Sequence, residues 1–125
     1  MIKTYKISEI SSITGLSIPT LRYYEDLGLL KPARNDNNYR VFTDKDLRWI
    51  EFISRAKATG MPLAKIIEYS KLREQGDETV KERISILEQQ EQILHAQQQE
   101  IQTHIDFLQN KKRYYAQLQD SYKKS

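Results

Sequence analysis

The segment "SIPTLRYYEDLGLL", residues 17–30, sets an arginine and two adjacent tyrosines beside an acidic pair. Arg22 carries a rigid fork of donors that fits a guanine edge or a phosphate, and a tyrosine hydroxyl bonds phosphate without needing charge. Seen down a helix, Thr20, Tyr23 and Tyr24 share a broad face with Arg22 on its flank, while Leu21 and Leu27 turn inward. A bidentate Arg22–guanine contact would give about 1–3 kcal/mol of discrimination between bases. The competing reading pairs Arg22 with Glu25 or Asp26 and gives one tyrosine to the core; Tyr24, three past Leu21, is the candidate for partial burial.

No other constellation in the chain suggests bond-making chemistry. The absence of cysteine removes disulfides, thiolate metal sites and a cysteine nucleophile together. His95 and His104 are nine residues apart, about 180° around a helix, so they point opposite ways and share no metal within one chain. The carboxylate pairs Glu25-Asp26 and Asp77-Glu78 fall at helix ends, where capping and solubility account for them. There is no glycine-rich phosphate loop and no Ser/His/Asp arrangement. The expectation is a protein that is not an enzyme and needs no metal or cofactor.

The whole chain agrees with a polyanion-binding role for its first part. Residues 1–75 hold 13 Lys/Arg against 9 Asp/Glu, a net +4, whereas residues 76–125 hold 7 against 8, a net −1. Ordinary surface charge is the competing account of that number. With 125 residues, 38% apolar and 30% charged, the chain is one domain, or a small domain with an appendage, and is lean for a self-sufficient globule. Some apolar surface is therefore expected to meet a partner. No run of eighteen apolar residues occurs and Met1-Ile2-Lys3 begins no signal peptide, so a soluble, cytoplasmic protein without membrane contact is expected.

The elements that would position these residues follow from period and punctuation. "ISEISSITG" places Ile7, Ile10 and Ile13 on one stripe of a short helix, with Ser8 and Glu9 at its start and Gly15 at its stop. After a tight turn, Ser17 caps a second helix that tolerates Pro19 in its first turn and repeats Leu21, Tyr24 and Leu27 or Gly28. Helix, glycine turn, helix is the helix-turn-helix unit. "KPARNDNNYRVF" changes period: residues 30–34 and 39–42 are expected to pair as a small hairpin tipped by residues 35–38. A two-stranded ribbon is marginal alone, so it must lean on the helices. A third helix starts at Thr43 with Asp46 as the acidic half of a capping box, buries Leu47, Ile50, Ile53 and Ala56, and ends at Gly60. A fourth restarts with Pro62, runs through Leu63, Ile66, Ile67 and Tyr69 or Ser70, and stops at Gly76.

Residues 77–122 contain neither proline nor glycine. One heptad position is apolar every time: Val80, Leu87, Leu94, Ile101, Leu108, Tyr115 and Tyr122. Ile84 and Ile105 thicken the seam on one side, and Ile86, Ile93 and Phe107 on the other. A helix of these 46 residues would be about 70 Å long, more than a small domain can cover. Such a stripe predicts a coiled coil, with a strand direction that the seam alone does not reveal.

The order of these elements resembles the MerR family of bacterial transcription regulators. The resemblance rests on "TLRYYEDLGLL", a proline-containing wing ending in "NYRVF", a helix pair split at "TGMPL", and the rod. Leu21 to Phe42 is its most specific part, and "DLRWIEFI" with "EYSKLREQGDETV" is most similar to the aldehyde- and electrophile-responsive branch. The resemblance implies a mainly α protein: a winged helix-turn-helix DNA-binding domain at residues 1–76 and a dimerisation helix at residues 77–125, paired as an antiparallel coiled coil through Val80, Leu87, Leu94, Ile101, Leu108 and Tyr115. It further implies a homodimer on a pseudo-palindromic promoter of double-stranded DNA whose two polymerase-recognition elements lie too far apart. Such dimers bend and untwist the promoter so that RNA polymerase engages both elements.

Residue by residue, the resemblance makes Thr20, Arg22, Tyr23 and Tyr24 the recognition-helix contacts. Arg34, Tyr39 and Arg40 match the backbone-gripping positions of the wing, where Asn38 replaces the glycine usual before Tyr-Arg; asparagine also tolerates positive φ. Lys57, Met61 and the free amides at the start of the Pro62 helix match a second wing. Electrophile-sensing relatives carry a thiol in the third helix, where this chain reads "FISRAKATG" with Ser54 and Arg55, so thiol alkylation is not its trigger. The chain ends soon after the rod, so no added C-terminal ligand domain is expected. A non-covalent ligand near the junction of the fourth helix and the rod, and a constitutive DNA-binding dimer, both stay open. The rival from another class is a coiled-coil interaction adaptor whose small helical head binds protein rather than DNA.

Overall fold

The computed structural model describes residues 3–124; Met1 and Ile2, on which part of the no-leader reading falls, and Ser125 lie outside the described residues. The helix-turn-helix is α1 (Ile7–Thr14) and α2 (Ile18–Asp26). Gly15 ends α1 in the left-handed region, at φ 77°, and its amide reaches Ser11 O. The start of α1 departs from expectation. Lys6 is its N-cap, and Glu9 folds back to accept the Lys6 amide at 2.9 Å, so the cap lies two residues before Ser8. Ile10 is fully buried, Ile7 is half-buried, and Ile13 is 52% exposed. The expected three-isoleucine stripe is therefore only partly covered by the fold.

Ser17 caps α2 as expected, its hydroxyl accepting the Thr20 amide at 3.2 Å, with Pro19 in the first turn. Leu21 and Tyr24 are buried from this helix, each worth about 1.5–3 kcal/mol of transfer free energy. Between α2 and the third helix the chain forms a wing from β2 (Ala33–Arg34) and β3 (Arg40–Thr43), antiparallel with Ala33 opposite Val41 and Arg34 opposite Arg40. The strands are shorter than the hairpin expected, because Leu29 and Leu30 leave the ribbon for the core. The tip is held by Asn35, whose side-chain oxygen accepts the amides of Asn37 and Tyr39 at 3.0 Å each. Asn38 stands at φ 64°, among the described residues the one non-glycine with positive φ, and fills the position where a glycine would be at ease.

A further strand was not foreseen. β1 (Thr4–Tyr5) adds to the other edge of β3, pairing Thr4 with Thr43 and Tyr5 with Phe42, so the sheet has three strands in the order β1-β3-β2. The ribbon thus gains the support that a two-stranded hairpin needs. The Tyr5 hydroxyl donates to Asp44 Oδ1 at 2.7 Å, and that bond holds the phenol's pKa above its ordinary value.

The third helix, α3 (Asp44–Ala58), has the expected capping box: Thr43 N donates to Asp46 Oδ2 at 2.9 Å and Asp46 N to Thr43 Oγ1 at 3.3 Å. Ile50, Ile53 and Ala56 are buried, and so is Trp49, whose Nε1 donates to Leu29 O at 2.8 Å. α4 (Leu63–Gln75) follows, with Pro62 as its N-cap rather than inside its first turn. A 3-10 turn at Asp77–Thr79 leads into α5 (Val80–Lys124), a single helix of 45 residues.

The chain divides into two compact units, residues 1–86 and 87–125. α5 lends its first turns to the first unit, where Ile86 joins the core and so is not free for the seam expected of it. In the second unit, Leu87, Leu94, Ile101, Leu108 and Tyr115 are all exposed, as is Val80 at the start of the helix. No helix among the described residues is long and apolar enough to cross a membrane.

Candidate nucleic-acid interface

Arg22 lies on α2 and Arg34, Tyr39 and Arg40 on the wing, twelve or more residues on, and the fold brings them together. All four line one open cleft of about 640 Å3 between α2, the wing and the start of α1. Lys6 and Asn35, absent from the expected set, line it too. Lys6 belongs there because it follows β1, which pairs with β3; a two-residue strand gives no periodic signal that would reveal this.

One carboxylate, Glu9, lines the cleft, and a second, outside its lining, anchors the wing arginines. Glu25, at the end of α2, receives Arg40 Nε at 2.9 Å and Arg40 Nη2 at 2.8 Å on the same oxygen, and Arg34 Nη2 lies 3.6 Å from it. Arg34 also donates from Nη1 to Asn38 O at 3.1 Å. The wing is therefore tied to the recognition helix by charge. This settles the competition over Arg22: Glu25 is engaged by the wing, and the Arg22 guanidinium is exposed with no ion pair among the described residues. An unneutralised arginine on the outer face of a helix attracts anions.

The other expected residues separate into two groups. Thr20 is half-exposed near the start of α2, where its hydroxyl shares a 2.8 Å hydrogen bond with Ser17, and Tyr23 is 52% exposed. Tyr24 is 2% exposed and belongs to the core, which corrects its place among the DNA contacts. Its neighbour Tyr23 takes the outward direction because adjacent helical residues diverge by about 100°. Tyr24's hydroxyl instead accepts Lys57 Nζ at 3.1 Å, and that ammonium also lies 5.5 Å from the tyrosine ring centroid. Lys57 is thus aimed by Tyr24 while remaining exposed. Met61 is 6% exposed and packs into the same core, a second correction; its apolar side chain fills the turn between α3 and α4 instead of facing outward.

His95 and His104 are exposed on α5, 3.6 Å and 4.0 Å from Glu91 and Glu100 one turn earlier. Ser54 Oγ is buried without a hydrogen-bond partner among the described residues.

Comparison with known proteins identifies the family. The family model described as MerR HTH family regulatory protein matches residues 5–72, and one described as MerR, DNA binding matches residues 47–111. An HTH-type transcriptional regulator of Haemophilus influenzae, itself uncharacterized, is 35% identical over 113 residues, 90% of this chain and 84% of that protein. The HTH-type transcriptional regulator AdhR of Bacillus subtilis is 39% identical over 89 residues, 70% of this chain and 64% of its own length. Among solved structures, HiNmlR, a MerR family regulator lacking the sensor domain and bound to promoter DNA, is similar with a TM-score of 0.72 and 35% identity, covering 83% of this chain and 80% of that one. A MerR family transcriptional regulator from Bacillus thuringiensis gives a TM-score of 0.71 at 30% identity, covering 87% and 96%. By motif, fold and relatives alike, the chain belongs to the MerR family of helix-turn-helix regulatory proteins.

Proposed function

We propose that this MerR-type DNA-binding transcription regulator works as a homodimer, with residues 1–76 gripping promoter DNA and residues 77–125 forming the dimerisation rod. The observation that carries the reading is the convergence of Arg22, Arg34, Tyr39 and Arg40 on one open cleft, with Arg22 unpaired at the outer face of α2. Arg22 reads base edges in the major groove, with Thr20 and Tyr23 beside it. Arg34, Tyr39, Arg40 and Lys6 hold the phosphate backbone at the wing, and Lys57 supplies a further phosphate contact where Tyr24 aims it.

The bare apolar stripe of α5 supports pairing with a second copy in an antiparallel coiled coil. Two heads fixed at the ends of one rod meet two half-sites, and a dimer that bends and untwists an overlong promoter spacer would align it for RNA polymerase. The regulators matched over the head support this reading over a protein-binding adaptor.

Selection of bound DNA from a random pool tests the reading. A pseudo-palindrome is expected, and Arg22→Ala should lose about 1–3 kcal/mol on it while binding unrelated duplex as before. An Arg22→Ala protein that holds the selected site as tightly as the parent at matched salt removes α2 as the reading element.

A further inference from the structure

A second cleft, of about 380 Å3, opens on the first unit among α3, α4 and the start of α5. Its floor is aromatic. Trp49 and Phe52 stack with centroids 5.3 Å apart and planes 11° apart, and Phe52 and Tyr69 stack at 4.9 Å and 23°. Its walls are cationic: Lys45, Arg48, Arg73 and Arg83.

This arrangement differs from an ordinary charged surface in three respects. First, no carboxylate is among the residues that line it. Second, two of the guanidinium groups are held in place, Arg73 with no ion pair among the described residues and Arg83 with a single long one. Arg73 lies 4.3 Å from the Trp49 ring centroid, and Arg83 donates to Thr79 Oγ1 at 3.2 Å and to Gly76 O at 3.1 Å. The ion pair of Arg83, to Asp77 Oδ1 at 4.0 Å, is with a fully exposed carboxylate and is screened by solvent. Third, Lys45 and Arg48 are exposed and make no ion pair among the described residues. Four like charges around three π-faces repel one another, and a bound anion relieves that repulsion.

We infer that this cleft is a binding site for a small aromatic acid: a flat conjugated ring that packs on the half-exposed Phe52 and Tyr69, beside the Arg73-capped Trp49, and carries a carboxylate or sulfonate for the arginines. The volume lies at the lower end of the range for small-molecule sites. Guanidinium matches an anionic oxygen pair in geometry as well as charge, so the anion is part of the recognition and not an accessory to it. The occupant would lie against Trp49, whose Nε1 holds Leu29 O immediately after α2. The inference does not depend on the DNA-binding reading and is tested without DNA.

Trp49 is the single tryptophan of the chain, so energy transfer from it reports a fluorescent ligand bound in its vicinity. The full chain is titrated with 8-anilino-1-naphthalenesulfonate while transfer from Trp49 is recorded. Saturable transfer is expected, reversed by 2-naphthoate but not by the neutral 2-naphthalenemethanol at equal concentration. The double variant Lys45→Gln/Arg48→Gln, two exposed positions, should keep the parent's circular dichroism and bind about tenfold more weakly. Non-saturable transfer, equal displacement by the neutral alcohol, or unchanged affinity in the double variant would each overturn the site. The competition arm uses the parent chain alone and decides the matter even if the variant folds poorly.

Discussion

Arg40 places two nitrogens, Nε and Nη2, on a single oxygen of Glu25 at 2.9 and 2.8 Å, and so joins the last strand of the wing to the end of the recognition helix. Both side chains are about four-fifths covered, which protects the pair from solvent screening. A double-mutant cycle with Glu25→Ala and Arg40→Ala, read by chemical denaturation at fixed protein concentration, should return a coupling of about 1–2 kcal/mol. A coupling near zero would mean that the wing is held by its strand pairing alone.

The salt dependence of operator binding reports how many phosphates the heads neutralise. The logarithm of affinity should fall linearly with the logarithm of salt concentration, with a slope of about −0.9 per phosphate. Arg34→Ala should flatten that slope by about 1 without changing the preferred sequence. Filter binding across a salt series measures it, and an unchanged slope would place Arg34 off the backbone.

Two isoleucines of α1 should behave differently despite similar sequence surroundings. Ile10→Ala should cost about 2–5 kcal/mol of stability, because the side chain is fully buried. Ile13→Ala should change stability by about 0.5 kcal/mol or less, because Ile13 is half-exposed. Denaturant midpoints of the two variants give the comparison directly.

The stripe on α5 should be intolerant of charge. Leu94→Glu together with Ile101→Glu is expected to convert a dimer to monomers at micromolar concentration in sedimentation equilibrium, with loss of helical circular dichroism as the unpaired rod frays. A double variant that sediments like the parent would show that the two copies meet elsewhere.

Local signals carried much of the fold. Ser17 and the Thr43–Asp46 box announce helix starts because the side chain and the amide it caps are three residues apart. The same locality makes Gly15 and Asn38 readable, each a single residue set by its own φ. The rod's stripe was legible because forty-odd residues of unbroken period leave no competing element.

What escaped the sequence is what depends on distant neighbours. β1 has two residues, and its partner strand begins 35 positions later, so only the assembled sheet identifies it. Tyr23 and Tyr24 are chemically identical; their separate fates follow from which side of α2 meets α3. Met61 looked like part of a turn at the surface and is core, since the α3–α4 connection folds inward. The Glu25–Arg40 pair spans fifteen residues, and the sequence alone offered nearer arginines.

On α2, Leu21 and Tyr24 bear the packing while Thr20, Arg22 and Tyr23 stand outside it. The vocabulary of the helix is thereby uncoupled from its foundations. A library that randomises Arg22 leaves the packing of Leu21 and Tyr24, the Ser17–Thr20 bond and the Tyr23–Tyr24 ring contact intact, so new operator preferences could be screened on one scaffold without re-engineering its stability each time.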